Sequence, residues 1–427
     1  MNKYFLSIKR VKFKVIIGCF LYFYIALISP ELSYSQSQND WEQDIEFFGN
    51  YIKETHLNAF HSTSEEEFDN ALNQLKNEAR NLDKVTFNLR LLEIVASIGD
   101  MHTNMSFQPS YRLPFKIFLF KEGFFIRAVD PNLRKLLGQQ IISINGHPID
   151  EVFEKLKTIT SADNEIGYLV NTLNFMEYPE VLAHFGFSSE PGDSIKFTLK
   201  DRGDMNISPT LESFEESKML QVFSEVDKEP ALYLKNIYQK RYWKEYLNQE
   251  NVLYVQVNSI RNNSNQDTFE GFFDEVIQEI NSKKPDKVVL DLRWNGGGND
   301  PVYRTSLPKF IAALETNDLN HKNKFFTITG RYTASAAQHL VNDLEYLTQT
   351  TFVGEPTKQN VHFFSDSRIA QLPVSGIRVA VSTGWIQNYV PYGIEDRTIF
   401  YPDREIPVTF ENFQKNIDAA LEWILEQ

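Results

Sequence analysis

Beyond Val252 the hydrophobic and polar positions change period again and again. VLYVQVNSI (252–260) reads as a strand, and QDTFEGFFDEVIQEI after it repeats Phe269, Phe272, Phe273, Val276, Ile277 and Ile280 on one helical face. KVVLDLR (287–293) is a nearly unbroken apolar run, the pattern of a strand buried on both faces. LPKFIAAL then reads as a helix and KFFTITG as a strand. A helix beginning near Ala334, the strand TTFVGE and a closing strand and helix over 406–425 complete the series. Such alternation predicts βαβ units with right-handed crossovers, an α/β core.

The chain before that core has two other textures. From Trp41 to about Ser97 the spacing is helical. Ser64 and Glu67 form a capping box ahead of Phe68, Leu72, Leu75 and Ala79, with the acidic Glu65–Glu67 run as a solvated first turn. The helix FNLRLLEIVASI runs directly into GDMHTNM at 99–105. Between about Leu113 and Lys200 short strands take over, among them GFFIRAVD and GQQIISING, the latter ended by the turn pair Asn145-Gly146 and followed by a helix over Ile149–Leu156. The stretch 205–250 is mixed and polar. The expected division is an N-terminal leader over 1–35, a helical region over 36–108, a β-rich domain over 109–215 and the α/β core over 216–427. No internal repeat of fixed period is present.

The leader comes from the pattern at the N-terminus. Five basic residues within Met1–Lys14 precede the apolar run Val15–Ser29, and Ser33 and Ser35 stand at the −3 and −1 positions of a cleavage after Ser35. This order is that of a secretory signal, and about 15 apolar residues fall short of the roughly 20 that a membrane span needs. Export to a periplasmic or extracellular space follows, with an uncleaved anchor as the alternative. Cys19 is the only cysteine and lies in the leader, so the exported chain has no disulfide, thiol or thiolate chemistry. Losing residues 1–35 removes five basic residues and Glu31, which takes the formal charge from −14 to −18. Such an acidic chain is a poor partner for nucleic acid or anionic lipid.

Three stretches are richer than the fold requires. In DLRWNGGGND the glycines Gly296, Gly297 and Gly298 follow a buried strand, where they permit a sharp turn and bring backbone N–H groups to a ligand or simply close a tight turn. RYTASAAQHL (331–340) puts Ser335 at a strand-turn-helix junction without a G-x-S-x-G frame. There it is either an N-cap or a nucleophile facing the positive end of a helix dipole. GDMHTNM holds His102 in a turn, structural or catalytic, and His339 lies one helical turn after Ser335 as a poorly aimed base. No H-E-x-x-H spacing occurs, so a zincin site is unsupported, and the expected enzyme is free of metal and cofactor.

Taken in order, these stretches resemble the C-terminal processing (tail-specific) serine peptidases and their tricorn-type relatives. DLRWNGGG is similar to the family's D-L-R-x-N-x-G-G, TASAAQ to its nucleophile segment and GEPT (354–357) to its G-E-x-T. GDMHT is similar to D-G-H-T, LGQQIISINGHPI to the run of a PDZ-like insert, and IEDRTIFYPDREIPVT to the E-N-x-G-I-x-P-D ending. The resemblance spans roughly Asp100 to the C-terminus. It implies a crotonase/ClpP-like α/β core with a PDZ-like insert, Ser335 as nucleophile, and an oxyanion hole from the N–H groups of Ala336 and of Gly297 or Gly298.

The branches of that family differ in their base. Where the processing peptidases carry a lysine after G-E-P-T this chain has Asn360, and Lys358 stands two residues early. The tricorn-type branch implies His102 as base and Glu395 as its acidic partner, although Met101 stands where a second serine often precedes that histidine. The reading is therefore an exported serine endopeptidase acting on proteins or peptides through Ser335, His102 and Glu395, with Lys358 as the lesser candidate base. Its alternative is a non-catalytic peptidase-fold protein that binds peptides or apolar ligands.

Overall fold

Ser64 caps the second helix of the chain, and both arms of the expected capping box form: its hydroxyl accepts from Glu67 N–H and the Glu67 carboxylate accepts from Ser64 N–H. The computed structural model describes residues 40–427 apart from 191, 193, 201–205, 212–213 and 216–229. The expected leader over 1–35 lies outside the described residues. Helices α1 (Asp40–Thr55), α2 (Glu65–Glu78) and α3 (Lys84–Ala96) make up the predicted helical region. An antiparallel sheet follows, with β1 (Phe115–Phe120), β2 (Gly123–Val129), β3 (Gln140–Ile144) and β4 (Ile195–Lys200) adjacent in that order. Helices α4 (Ile149–Leu156) and α5 (Glu165–Asn171) interrupt it.

The change of texture near residue 108 is not a change of core. Phe48, Phe87 and Leu89 from the helices share one buried cluster with Phe115, Ile126 and Leu199 from the sheet. A strand from far along the chain joins them: Val379 and Val381 belong to the same cluster. The fully buried Asp44 of α1 accepts from Val374 N and Ser375 N, both at 2.8 Å, just before that strand.

The alternating part folds as its periods require. The sheet order is β5 (Tyr242–Leu247), β6 (Val252–Val257), β7 (Lys287–Asp291), β8 (Phe325–Thr329), β9 (Thr351–Gly354) and finally Arg404–Glu405. The first pair is antiparallel and the others are parallel. Every residue of β6 and β8 is buried, as strands covered on both faces must be. Helices α6 (Phe269–Lys283), α7 (Leu307–Thr316) and α8 (Ala336–Leu347) contribute to one apolar cluster with this sheet. The C-terminal helix, α9 (Ala419–Glu426), contributes to a second. Where the pattern suggested a closing strand from Ile406, the paired strand is Arg404–Glu405, followed by a short helix at Phe410–Lys415 before α9. Pro407 lacks the N–H a longer ladder would use.

The two polar residues of the DLR run anchor the loop that follows it. Arg293 is buried and reaches Asp418, the N-cap of α9, through two parallel bonds of 2.9 Å, while its Nε lies 2.9 Å from Asp291 Oδ2. Tyr254 donates to the same Asp291 oxygen at 2.6 Å. Asp418→Ala would leave a buried guanidinium short of a carboxylate, so a loss of about 3–5 kcal/mol is expected by urea unfolding. An unchanged midpoint and slope would show the pair to be dispensable.

Candidate active site

Ser335 occupies the junction between β8 and α8 at φ 54° and ψ −128°, a left-handed conformation that costs a non-glycine residue about 1–3 kcal/mol. It is the N-cap by position, yet its hydroxyl caps nothing. Instead Oγ lies 3.3 Å from His102 Nε2, across 233 residues of chain. The surrounding fold holds the strain. Ser335 N–H donates to Gln359 Oε1 at 2.9 Å, and its carbonyl accepts from Gln338 N and His339 N.

His102 is placed by its own turn. Its N–H donates to Asp100 Oδ1 at 2.8 Å, its carbonyl accepts from Ser367 Oγ at 2.8 Å, and its ring stacks on Phe363 with centroids 5.8 Å apart. Asp100 in turn accepts from Thr103 Oγ1 at 2.6 Å and pairs with the buried His56 Nε2 at 3.1 Å. Asn58 N–H donates to His56 Nδ1, so the proton that His56 gives Asp100 is on Nε2. Burial pushes the Asp100 carboxyl up, but the bonds from His56, Ser382, Thr103 and the His102 amide bring it below its usual range. A carboxylate thus sits under the turn that carries His102.

Burial lowers the pKa of the His102 imidazole below 6.5. The charges of His339 and Lys358 push in the same direction, while Asp100 and the backbone of Phe364 oppose them. With Nε2 turned to Ser335 Oγ, Nδ1 faces the Gln359 side-chain amide at 3.5 Å.

Sequence reasoning missed two residues here. Gln359 Nε2 donates to Asp163 Oδ2 and lies 3.5 Å from His102 Nδ1, so this fully buried amide touches the serine backbone, the imidazole and a carboxylate together. Asp163 also accepts from Met101 N at 2.6 Å, and burial, with the nearby charge of Asp100, raises its carboxyl to about 7. Gln359 stands directly between Lys358 and Asn360, the two positions on which the comparison of bases turned.

The glycine loop lies against the serine. Gly297 has φ 108°, and a Cβ there would stand 2.6 Å from Ser335 Cβ and 3.1 Å from Ala336 N. Its own N–H is engaged by Asn295 Oδ1 at 2.9 Å. The N–H groups of Gly298 and Ala336 have no acceptor among the described residues.

The remaining candidates lie elsewhere. The Lys358 ammonium donates to Asn171 Oδ1 at 3.2 Å and makes no hydrogen bond to Ser335; burial lowers it to about 8. Glu395 is exposed, both its oxygens accept from Gly393 N–H at 3.0 Å, and it shares no hydrogen bond with His102. His339 faces Asn388 Oδ1 at 2.7 Å and Asp300 at 3.4 Å, away from the serine hydroxyl. Among the described residues no group of three or more His, Cys, Asp or Glu side chains is placed to hold a metal ion, and no helix is long and apolar enough to cross a membrane.

No curated protein matches the chain. Among solved structures it is similar to mature CPAF complexed with lactacystin, at 11% identity over 92% of this chain and 98% of that one, with a TM-score of 0.63. A second structure of mature CPAF matches at 10% identity over 91% and 96%, with a TM-score of 0.62. The tricorn protease aligns at 13% identity over 91% of this chain and 36% of its own, with a TM-score of 0.45. At such identities the first two show a shared fold. Residues 251–395 match the model of peptidase family S41, a span that includes the glycine loop, Ser335, Gln359 and Glu395 but not His102. Over residues 251–395, then, the mixed α/β chain is similar to peptidase family S41.

Proposed function

We propose that this chain is an exported serine endopeptidase that hydrolyses peptide bonds of proteins or peptides through an acyl-enzyme on Ser335. The observation that carries the reading is the 3.3 Å approach of Ser335 Oγ to His102 Nε2, at a serine held in a strained conformation beside two backbone N–H groups that have no acceptor among the described residues. The leader pattern of residues 1–35 supports export.

The chemistry follows from the geometry. Ser335 Oγ attacks the scissile carbonyl carbon as its proton passes to His102 Nε2. The Asp100 carboxylate, one residue removed from the imidazole, favours the imidazolium that forms. The carbonyl oxygen becomes an oxyanion, for which the N–H groups of Gly298 and Ala336 are the available donors; Gly297 leaves them space because it has no side chain. Collapse breaks the C–N bond as His102 returns the proton to the departing amine. Water then repeats the attack on the ester and releases Ser335. Gln359 and Asp163 act as positioning residues, tying the serine backbone to the segment that carries the histidine. Glu395 takes no step in this scheme.

A fluorophosphonate probe followed by intact-mass analysis tests the assignment. One equivalent should add to the wild type and to Lys358→Ala, and none to Ser335→Ala. Failure to label folded wild type, or loss of labelling in Lys358→Ala, would sink the Ser–His reading. The pH profile supplies an independent check. His102 acts as a base only when neutral, so the acid limb of kcat/KM is expected below pH 6.5. Lys358→Met removes a positive charge that disfavours the imidazolium, so it should move that limb to higher pH. A limb that stays in place would show that the lysine does not bear on the base.

A further inference from the structure

Next to the Ser335–His102 pair the molecule leaves open a cavity that proton transfer does not need. It has a volume of about 470 Å³, with Phe363 and Phe364 among its walls and with Leu57 and Trp385 at its edge. Leu57 comes from the turn after α1 and Trp385 from the strand Gly384–Ile386, which pairs with Phe363–Ser365. Leu57 is 64% exposed and Trp385 46%, although the Trp385 ring lies only 4.7 Å from that of Phe364. The cavity adjoins the site through two of its walls, because Phe363 also stacks against His102 and Asp163 also holds Gln359.

Three polar side chains around this space, Asp163, Asn360 and His362, already have protein partners. Asp163 accepts from Met101 N and Gln359 Nε2. Asn360 donates to Asp163 O and accepts from Asn164 Nδ2. His362 has Glu395 O on one ring nitrogen and Asn388 N on the other, while the exposed His61 lies 2.9 Å from Asn58 O. A charged side chain entering here would lose water against the aromatic walls of Phe363 and Phe364, whereas an apolar one would cover exposed Leu57 and Trp385. The volume lies within the range of pockets that enclose small ligands, roughly 300–1,000 Å³.

Resting on the peptidase reading, we propose that this cavity is the specificity pocket of the enzyme and takes a large apolar side chain, aromatic or leucine-like, from a polypeptide lying across His102. The helical region would then contribute directly to substrate choice through Leu57.

The test is digestion of oxidised insulin B chain by the mature protein, with each cut bond identified by mass spectrometry and its kcat/KM measured. The rate of fluorophosphonate labelling of the same preparations reports the Ser335–His102 pair separately. Cuts should concentrate within two residues of Phe, Tyr or Leu. Trp385→Ala should lower kcat/KM at those bonds about tenfold or more beyond any change in labelling rate. Leu57→Arg, at an exposed position, should move cutting toward bonds near glutamate. Labelling accompanied by a cut pattern indifferent to apolar neighbours, or unchanged in both variants, would overturn the pocket alone. A wild type that neither labels nor cuts would overturn the peptidase reading and the pocket with it.

Discussion

Ser335→Ala is expected to lower kcat by about 10⁴-fold or more, and adding His102→Ala to that variant is expected to remove nothing further. In the proposed scheme the imidazole has one task, to take and return the Ser335 proton, and without Oγ there is no such proton. What survives should be the contribution of substrate binding and of the free N–H groups beside residue 335. Steady-state kcat on oxidised insulin B chain, for both single variants and the double one, tests the coupling. A double variant more than about tenfold below Ser335→Ala would mean that His102 acts on water or substrate independently of the serine. Stability should separate from activity here. The Ser335 hydroxyl caps nothing, so alanine should change the unfolding free energy little, whereas Ser335→Gly should relieve the left-handed strain. The glycine variant should therefore be the more stable of two equally inactive proteins, and equal stability would show that the φ of 54° stores no cost.

Residues at this site differ in how much of their role can be read along the chain. Strands β6, β7 and β8 are legible because burial on both faces leaves almost no polar position, and α6 because Phe269, Phe273, Val276 and Ile280 recur at the helical period and are all buried. Ser335 is noticeable because a strand, a turn and a helix converge on it. Asp163 and Gln359 carry no such mark. An aspartate in a polar stretch before a short helix reads as a solvated or capping residue, and a glutamine titrates nowhere. Their meeting depends on the segment before α5 docking against the end of β9, and the sequence separation is 196 residues. Glu395 shows the converse. It fits a motif in one dimension, but the turn at Gly393 captures its carboxylate locally. The helical and β-rich regions likewise differ in period and still share one core, because a change of period marks a change of secondary structure and not a boundary between apolar clusters.

The three adjacent glycines of the loop should respond to alanine in three different ways. Gly296 has no atom within 4 Å of the place its Cβ would take, so Gly296→Ala should alter neither stability nor turnover appreciably. Gly298 is a folding position, since a Cβ there would meet Ile260 O at 2.1 Å, in the bridge that joins the loop to the chain after β6. Gly297 couples the loop to the chemistry. Its positive φ of 108° disfavours any side chain, and a Cβ would press on Ser335 Cβ at 2.6 Å and on Ala334 O at 2.9 Å. Because those atoms belong to the strained turn, the loop must retreat from the nucleophile and the Gly298 and Ala336 amides must separate. Losing aligned oxyanion donors costs about 10²–10³-fold in kcat. Gly297→Ala is therefore expected to fall by at least about 100-fold in kcat while KM changes little, because the donors act on charge that develops only in the transition state. Fluorophosphonate labelling should slow with it, since the phosphonyl oxygen would use the same donors. Full kcat in a folded Gly297→Ala protein would place the oxyanion away from this loop, and the glycines would then be only a tight turn.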